Sequence, residues 1–200
     1  MNNKNIVIAY LALTFIFLFG VILSFNHYSF AGYYTDKIIN WLWLAMTGFI
    51  IIRFWKKKVI KIYFGVLISG IVLSILPMMI PFFGILLYFS TVGCDQQISL
   101  DDTYRMERGR PGALYNPMIM IYKKEGLFEK QTSRILYTDI TKNVLPPSLQ
   151  KITDEKKLPI QDAKVVNVNQ DSIGIEYRIM DKKKVIYHKN KLNWFDDFKD

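Results

Sequence analysis

Through its first 93 residues the chain carries a single acidic side chain, Asp36, and is dominated by apolar runs long enough to cross a lipid bilayer. A hydrocarbon core of about 30 Å is spanned by about 20 helical residues. Residues 6–25 meet that length without one charge, residues 38–55 form a second run, and residues 62–92 form a third. Within lipid every backbone polar group has to be satisfied inside its own segment, which for such runs leaves the helix. The expected fold class is therefore an α-helical membrane bundle of three transmembrane helices over residues 1–93. A small antiparallel β-rich domain is expected to follow over residues 94–200.

The third run is too long for one straight span and too short for two, which would need about 40 residues. Pro77 and Pro81 divide it, and each lacks the amide hydrogen that closes a helical turn. A single tilted helix kinked at these prolines is the expectation. A re-entrant return there is the alternative, and it would move the C-terminal half to the other side of the membrane. Gly65, Ser69, Gly70 and Ser74 form two small-x-x-x-small patterns that let helices approach closely. Packing within the chain's own bundle is the expected use of them, and a homo-oligomer is the alternative.

Between the second and third runs lies a basic cluster, Arg53, Lys56, Lys57, Lys58 and Lys61. Lys and Arg beside spans are retained on the cytoplasmic side, so this cluster is the topology-determining feature. It puts the N terminus in the cytoplasm and, after three crossings, the C-terminal domain outside it. Trp41, Trp43 and Trp55 near the ends of the second run suit the two membrane interfaces. A small-residue site at Ser29-Phe30-Ala31 resembles a signal-peptide cleavage point. The apolar region before it is long for a signal, and retention is expected.

The formal net charge of +9 comes largely from this membrane half. Beyond Cys94 acids and bases are interspersed, without the basic cluster beside stacking aromatics that a nucleic-acid binder places on its soluble domain. No nucleic-acid partner is expected. The only cysteine is Cys94 and the two histidines, His27 and His188, lie far apart. That excludes an intrachain disulfide and a thiolate or His/Cys zinc site. The sequence Thr91-Val92-Gly93-Cys94 resembles a lipoprotein processing site, but it follows a third apolar run instead of an N-terminal signal. A small residue at a helix end is the preferred account.

The polar half alternates. Ile173, Ile175, Tyr177 and Ile179 interleave with Gly174, Glu176 and Arg178, the period of a half-buried strand. Strands over 164–169 and 184–189 complete an antiparallel meander with turns at 169–172 and 181–183. Upstream, strands are expected over 117–123 and 127–131 around a turn at 124–126, with another over 133–140. Pro146-Pro147 interrupts the sheet, and 148–157 suits a short helix. The aromatic and acidic tail 192–198 is expected to pack on its own domain.

Chemistry-bearing motifs are few. Arg105, Arg108 and Arg110, with Gly109 and Gly112, have the planar forks that bind carboxylate or phosphate. A solvated loop near the bilayer is the weightier reading of this run. Asp95, Asp101 and Asp102 lack the ligand spacing and turn glycine of a calcium loop. There is no nucleophile elbow, phosphate loop or His-Glu-x-x-His helix. Charged groups are also missing from the middle of every span, where carriers and proton relays keep them. These features point to a non-enzymatic, multi-pass protein of the cell (inner or plasma) membrane, without catalytic, metal or cofactor groups. It would present an extracytoplasmic β-rich binding domain, as an accessory subunit of an envelope complex or an immunity-type protein. Its partners would be the lipid bilayer and another envelope or membrane protein. The alternative is a membrane-anchored cytosolic ligand sensor or effector whose transmembrane helices oligomerise.

Overall fold

The computed structural model describes residues 3–75, 80–110, 116–147, 149 and 158–190. The chain divides into two units, Met1–Val92 and Gly93–Asp200. The first contains α1 (Asn3–Phe25), a short extended segment β1 (Tyr28–Phe30), α2 (Tyr33–Phe54), α3 (Lys58–Ile75) and α4 (Ile80–Phe89). By length and composition α1, α2 and α3 are able to cross a membrane.

Helix α2 starts at Tyr33, five residues before the apolar run begins. Gly32 adopts φ +91°, a conformation that glycine takes without strain, and its carbonyl accepts from Thr35 N at 3.0 Å. Asp36 then falls in the first turn, where the helix dipole favours an acid. At the other end the chain turns through Trp55–Lys57 and α3 begins within the basic run itself.

A polar ladder joins the three long helices. The Tyr10 hydroxyl lies 2.9 Å from Thr47 Oγ1 and 2.6 Å from the Tyr63 hydroxyl, linking α1, α2 and α3. One turn along, Trp43 Nε1 donates to Thr14 Oγ1 at 3.2 Å, and the Trp43 ring stacks on Phe17 at 4.2 Å. Trp43 thus turns toward α1, where its N–H finds a hydroxyl.

The third apolar run is described as two helical stretches, α3 and α4, on either side of residues 76–79, which lie outside the described residues. Pro81 is the second described residue of α4, and the kink expected at Pro77 and Pro81 falls at this gap. Pro77 lies outside the described residues.

The small residues of α3 split between two faces. At about 100° per residue, Tyr63, Gly70 and Ser74 share one side while Gly65 and Ser69 point away from it. Ser74 is buried, and Gly65, Ser69 and Gly70 are exposed. A Cβ on Gly65 or Gly70 would meet nothing within 4 Å.

In the second unit, β2 (Cys94–Ser99), β3 (Tyr104–Gly109), β4 (Met118–Glu125) and β5 (Phe128–Leu136) pair antiparallel in that order. Helix α5 (Tyr137–Val144) follows, and then β6 (Asp162–Val168), β7 (Ser172–Ile179) and β8 (Lys182–Lys189) form the expected meander. The β7–β8 turn has positive φ at Met180 and Asp181, the backbone twist that a two-residue hairpin needs.

Two expectations change. β5 runs unbroken past a bulge to Leu136, so 127–131 and 133–136 are one strand. Residues 137–140 leave the sheet to begin α5, whose Tyr137, Ile140, Thr141 and Val144 are buried at helical spacing. The strands β2 and β3 were not foreseen. Ile119, Ile121, Ile140, Ile173, Ile175, Tyr177 and Ile179 form the fully buried core between the two meanders and α5. The helix expected over 148–157 and the tail 192–198 lie outside the described residues, Leu149 excepted.

Candidate functional site

The three arginines of the sequence motif fall on β3 and just beyond it, and their spacing decides what each does. Successive strand residues point to opposite faces, so Arg105 and Arg108, three apart, are on opposite sides of the sheet. Arg110 follows the strand, exposed, with its backbone N–H donating to Gly93 O at 2.7 Å. The three guanidinium groups do not converge.

Arg105 is engaged from three directions. Its Nε donates to Glu129 Oε2 at 2.5 Å, and its Nη1 donates to Glu107 Oε1. The guanidinium carbon lies 4.3 Å from the centre of the Tyr122 ring, its cross-strand neighbour on β4. Burial alone would lower the Arg105 pKa, but the two carboxylates outweigh it and hold the group above its usual range. Burial pushes the Tyr122 phenol up strongly, with Glu107 adding to the effect. This is a planar fork shared between two acids and an aromatic face, fully used by its own chain.

Arg108, only 5 % exposed, points into the core side. Its Nη1 donates to Leu158 O at 2.5 Å, and the guanidinium sits 5.0 Å from the Tyr137 ring of α5. Tyr137 also donates to Leu158 O. Beside Arg108, Gln96 makes a paired contact with the backbone of Ile160, donating at 2.5 Å and accepting at 3.0 Å. Together Arg108, Tyr137 and Gln96 tie the 158–160 segment to β2, β3 and α5.

No protein family, curated protein or solved structure matches the chain. What the residues do has to be read from their own geometry. Asp101 accepts from the backbone N–H groups of Thr103 and Tyr104 at 2.7 and 2.6 Å, closing the β2–β3 turn. Among the described residues no group of three His, Cys, Asp or Glu side chains is arranged to hold a metal. Cys94 opens β2, half-buried, opposite Gly109. Gly109 is required there because a Cβ would collide with the Gly93 carbonyl oxygen.

In the membrane-compatible unit the informative cluster is one that sequence reading missed. Lys37 Nζ donates to Leu87 O at 2.9 Å and to Tyr88 O at 2.7 Å, and Asn40 Nδ2 donates to Tyr88 O at 3.1 Å. These are the orphan carbonyls at the C-terminal end of α4, held by a cation as the helix dipole favours. Asn40 is 1 % exposed, a buried amide whose partner the sequence did not advertise. The basic residues Arg53, Lys56, Lys57, Lys58 and Lys61 are all exposed, at the opposite end of α2 from Lys37.

Proposed function

We propose that the chain is a non-enzymatic, multi-pass membrane protein that crosses the bilayer three times and carries its β-rich unit outside the cytoplasm as a binding module. Within this reading it acts as an accessory subunit of an envelope complex or as an immunity-type protein, with another membrane or envelope protein as its partner.

The observation that carries the reading is the Lys37–Asn40 hold on the end of α4. Helices α1 and α2 run antiparallel: Asn3 meets Arg53, Tyr10 meets Thr47 and Thr14 meets Trp43. The basic turn and Lys37 are therefore at opposite ends of that hairpin. Helix α3 begins at the basic end, where Tyr63 meets Tyr10. Its 18 residues extend about 27 Å, close to the thickness of the hydrocarbon core. Helix α4 then finishes at the Lys37 end. This supports an odd number of net crossings, with the basic end in the cytoplasm by the positive-inside rule. A return to that end through Pro77 and Pro81, which the cytosolic-sensor alternative needs, is at odds with this hold.

The binding role rests on how the polar side chains of the β unit are employed. Arg105, Arg108, Asp101 and Gln96 all serve the fold, which leaves surface and strand edges for recognition. Cys94 tests the topology. A membrane-impermeant maleimide should label it in intact cells stripped of any outer barrier, and a reporter fused after Asp200 should be active outside the cytoplasm. Labelling only after permeabilisation, with a cytoplasmic reporter signal, would refute the reading.

A further inference from the structure

Among the described residues of the C-terminal unit, a buried pair of titratable groups, His188 and Tyr177, is employed by neither the ion cluster nor the turns. His188, on β8, is 2 % exposed. Its Nε2 lies 2.8 Å from the hydroxyl of Tyr177, itself fully buried on β7, and its Nδ1 is buried with no hydrogen-bond partner among the described residues. Strand register puts His188 opposite Ile173, in the row with Ile186 that faces the core.

We propose that the Tyr177–His188 pair is a proton-operated lock, closed while the imidazole is neutral and released when it is protonated. A neutral imidazole accepts the Tyr177 proton at Nε2. An imidazolium has no lone pair to offer, so the bond has to reverse, with Nε2–H donating to the phenol oxygen. The Tyr177 hydrogen then loses its acceptor, Nδ1–H stays without one as it was in the neutral form, and a full charge is buried beside them.

Among the described residues nothing charged faces His188 to offset that. On β7 the titratable neighbour is Tyr177, whose phenol burial pushes up strongly, so it stays protonated. Helix α5 packs against β8 through buried Tyr137, Ile140, Thr141 and Val144, while Asp139 and Lys142 lie about half a turn away on its other side. From β5, Ser133 and Ile135 face inward, Glu129 and Arg134 take the other face, and Lys130 is exposed near the strand start. Lys184, in the same row as His188 on β8, is exposed. Burial accordingly lowers the His188 pKa from 6.5 to about 4.

With the closed form depressed, the lock is at full strength above pH 6.5, where an exposed imidazole is also neutral. It weakens as pH falls from 6.5 to about 4 and is level below that. A gap of this size corresponds to about a 300-fold change in the ratio of closed to open forms. The proposal is independent of the side of the membrane on which the unit lies.

The test uses the full chain in lipid nanodiscs. Deuterium uptake at the imidazole C2 position, followed by mass spectrometry across pH, reports the titration of His188 itself, and a midpoint between 4 and 5 is expected. Amide exchange of β7–β8 peptides, corrected for intrinsic rates, should be about 30-fold less protected at pH 5 than at pH 7.5, from the same linkage. His188→Leu should abolish that dependence, and if this variant does not fold, the wild-type imidazole titration alone decides. A midpoint of 6 to 7, or the same pH dependence persisting in a folded His188→Leu protein, would overturn the proposal.

Discussion

Arg105→Met is the substitution that best separates a structural arginine from a ligand-binding one. In the wild type one guanidinium serves two carboxylates, and the Glu107 and Glu129 side chains are only 9 % and 5 % exposed. Removing the shared cation leaves both acids buried without it, a defect that costs about 3–5 kcal/mol when one partner of a buried pair is lost. The stacking on Tyr122 at 4.3 Å adds about 0.5–2 kcal/mol. A loss of about 4 kcal/mol is therefore expected, a large part of the 5–15 kcal/mol that typically holds a domain together. Arg105→Lys should recover part of it, since an ammonium keeps the charge but cannot fork between two acids. Adding Glu129→Gln to Arg105→Met should also recover part, by removing one of the stranded charges. The assay is amide exchange of β3–β5 peptides in a urea series, on the full chain in detergent. A loss under about 1 kcal/mol for Arg105→Met would refute the account, because that is the range of an exposed ion pair.

Two further substitutions probe the separate units. Tyr10→Phe removes the hydroxyl that bridges Thr47 and Tyr63, and should cost the bundle about 1 kcal/mol in detergent-induced unfolding, in line with interhelical hydrogen bonds in membranes. Gly109→Ala forces a methyl group against the Gly93 carbonyl and should cost about 1–3 kcal/mol, read as a lowered thermal midpoint of the second unit.

The parts legible in the sequence were those where one pattern dominated. The β7 alternation of Ile173, Ile175, Tyr177 and Ile179 predicted a strand because all four side chains end in the core. The apolar runs predicted α1 and α2 because length and composition alone suffice for a span. β3 hid because its outward face is charged yet buried: Arg105 and Glu107 look like a solvated run until Glu129, 24 residues on, is brought beside them. The alternation of Tyr104, Met106 and Arg108 was the available signal, and the charges masked it. α5 was mistaken for strand because Ile135, Tyr137 and Ile140 suit either period over so few residues. The Lys37–Asn40 hold was illegible for a different reason. It joins positions about 50 residues apart through backbone carbonyls, which carry no side-chain signature.

That hold also alters how the charges of the membrane unit are weighed. Orientation by positive charge depends on the imbalance between the two ends of the spans. The basic end has Lys4, Arg53, Lys56, Lys57, Lys58 and Lys61, and the far end has Lys37. Lys37 is not a free counterweight to the others. Its ammonium is taken up by the Leu87 and Tyr88 carbonyls and lies 5.8 Å from the centre of the Tyr88 ring, with Asp36 beside it in the chain. The one cation that opposes the orientation signal is thus employed in fixing where α4 ends.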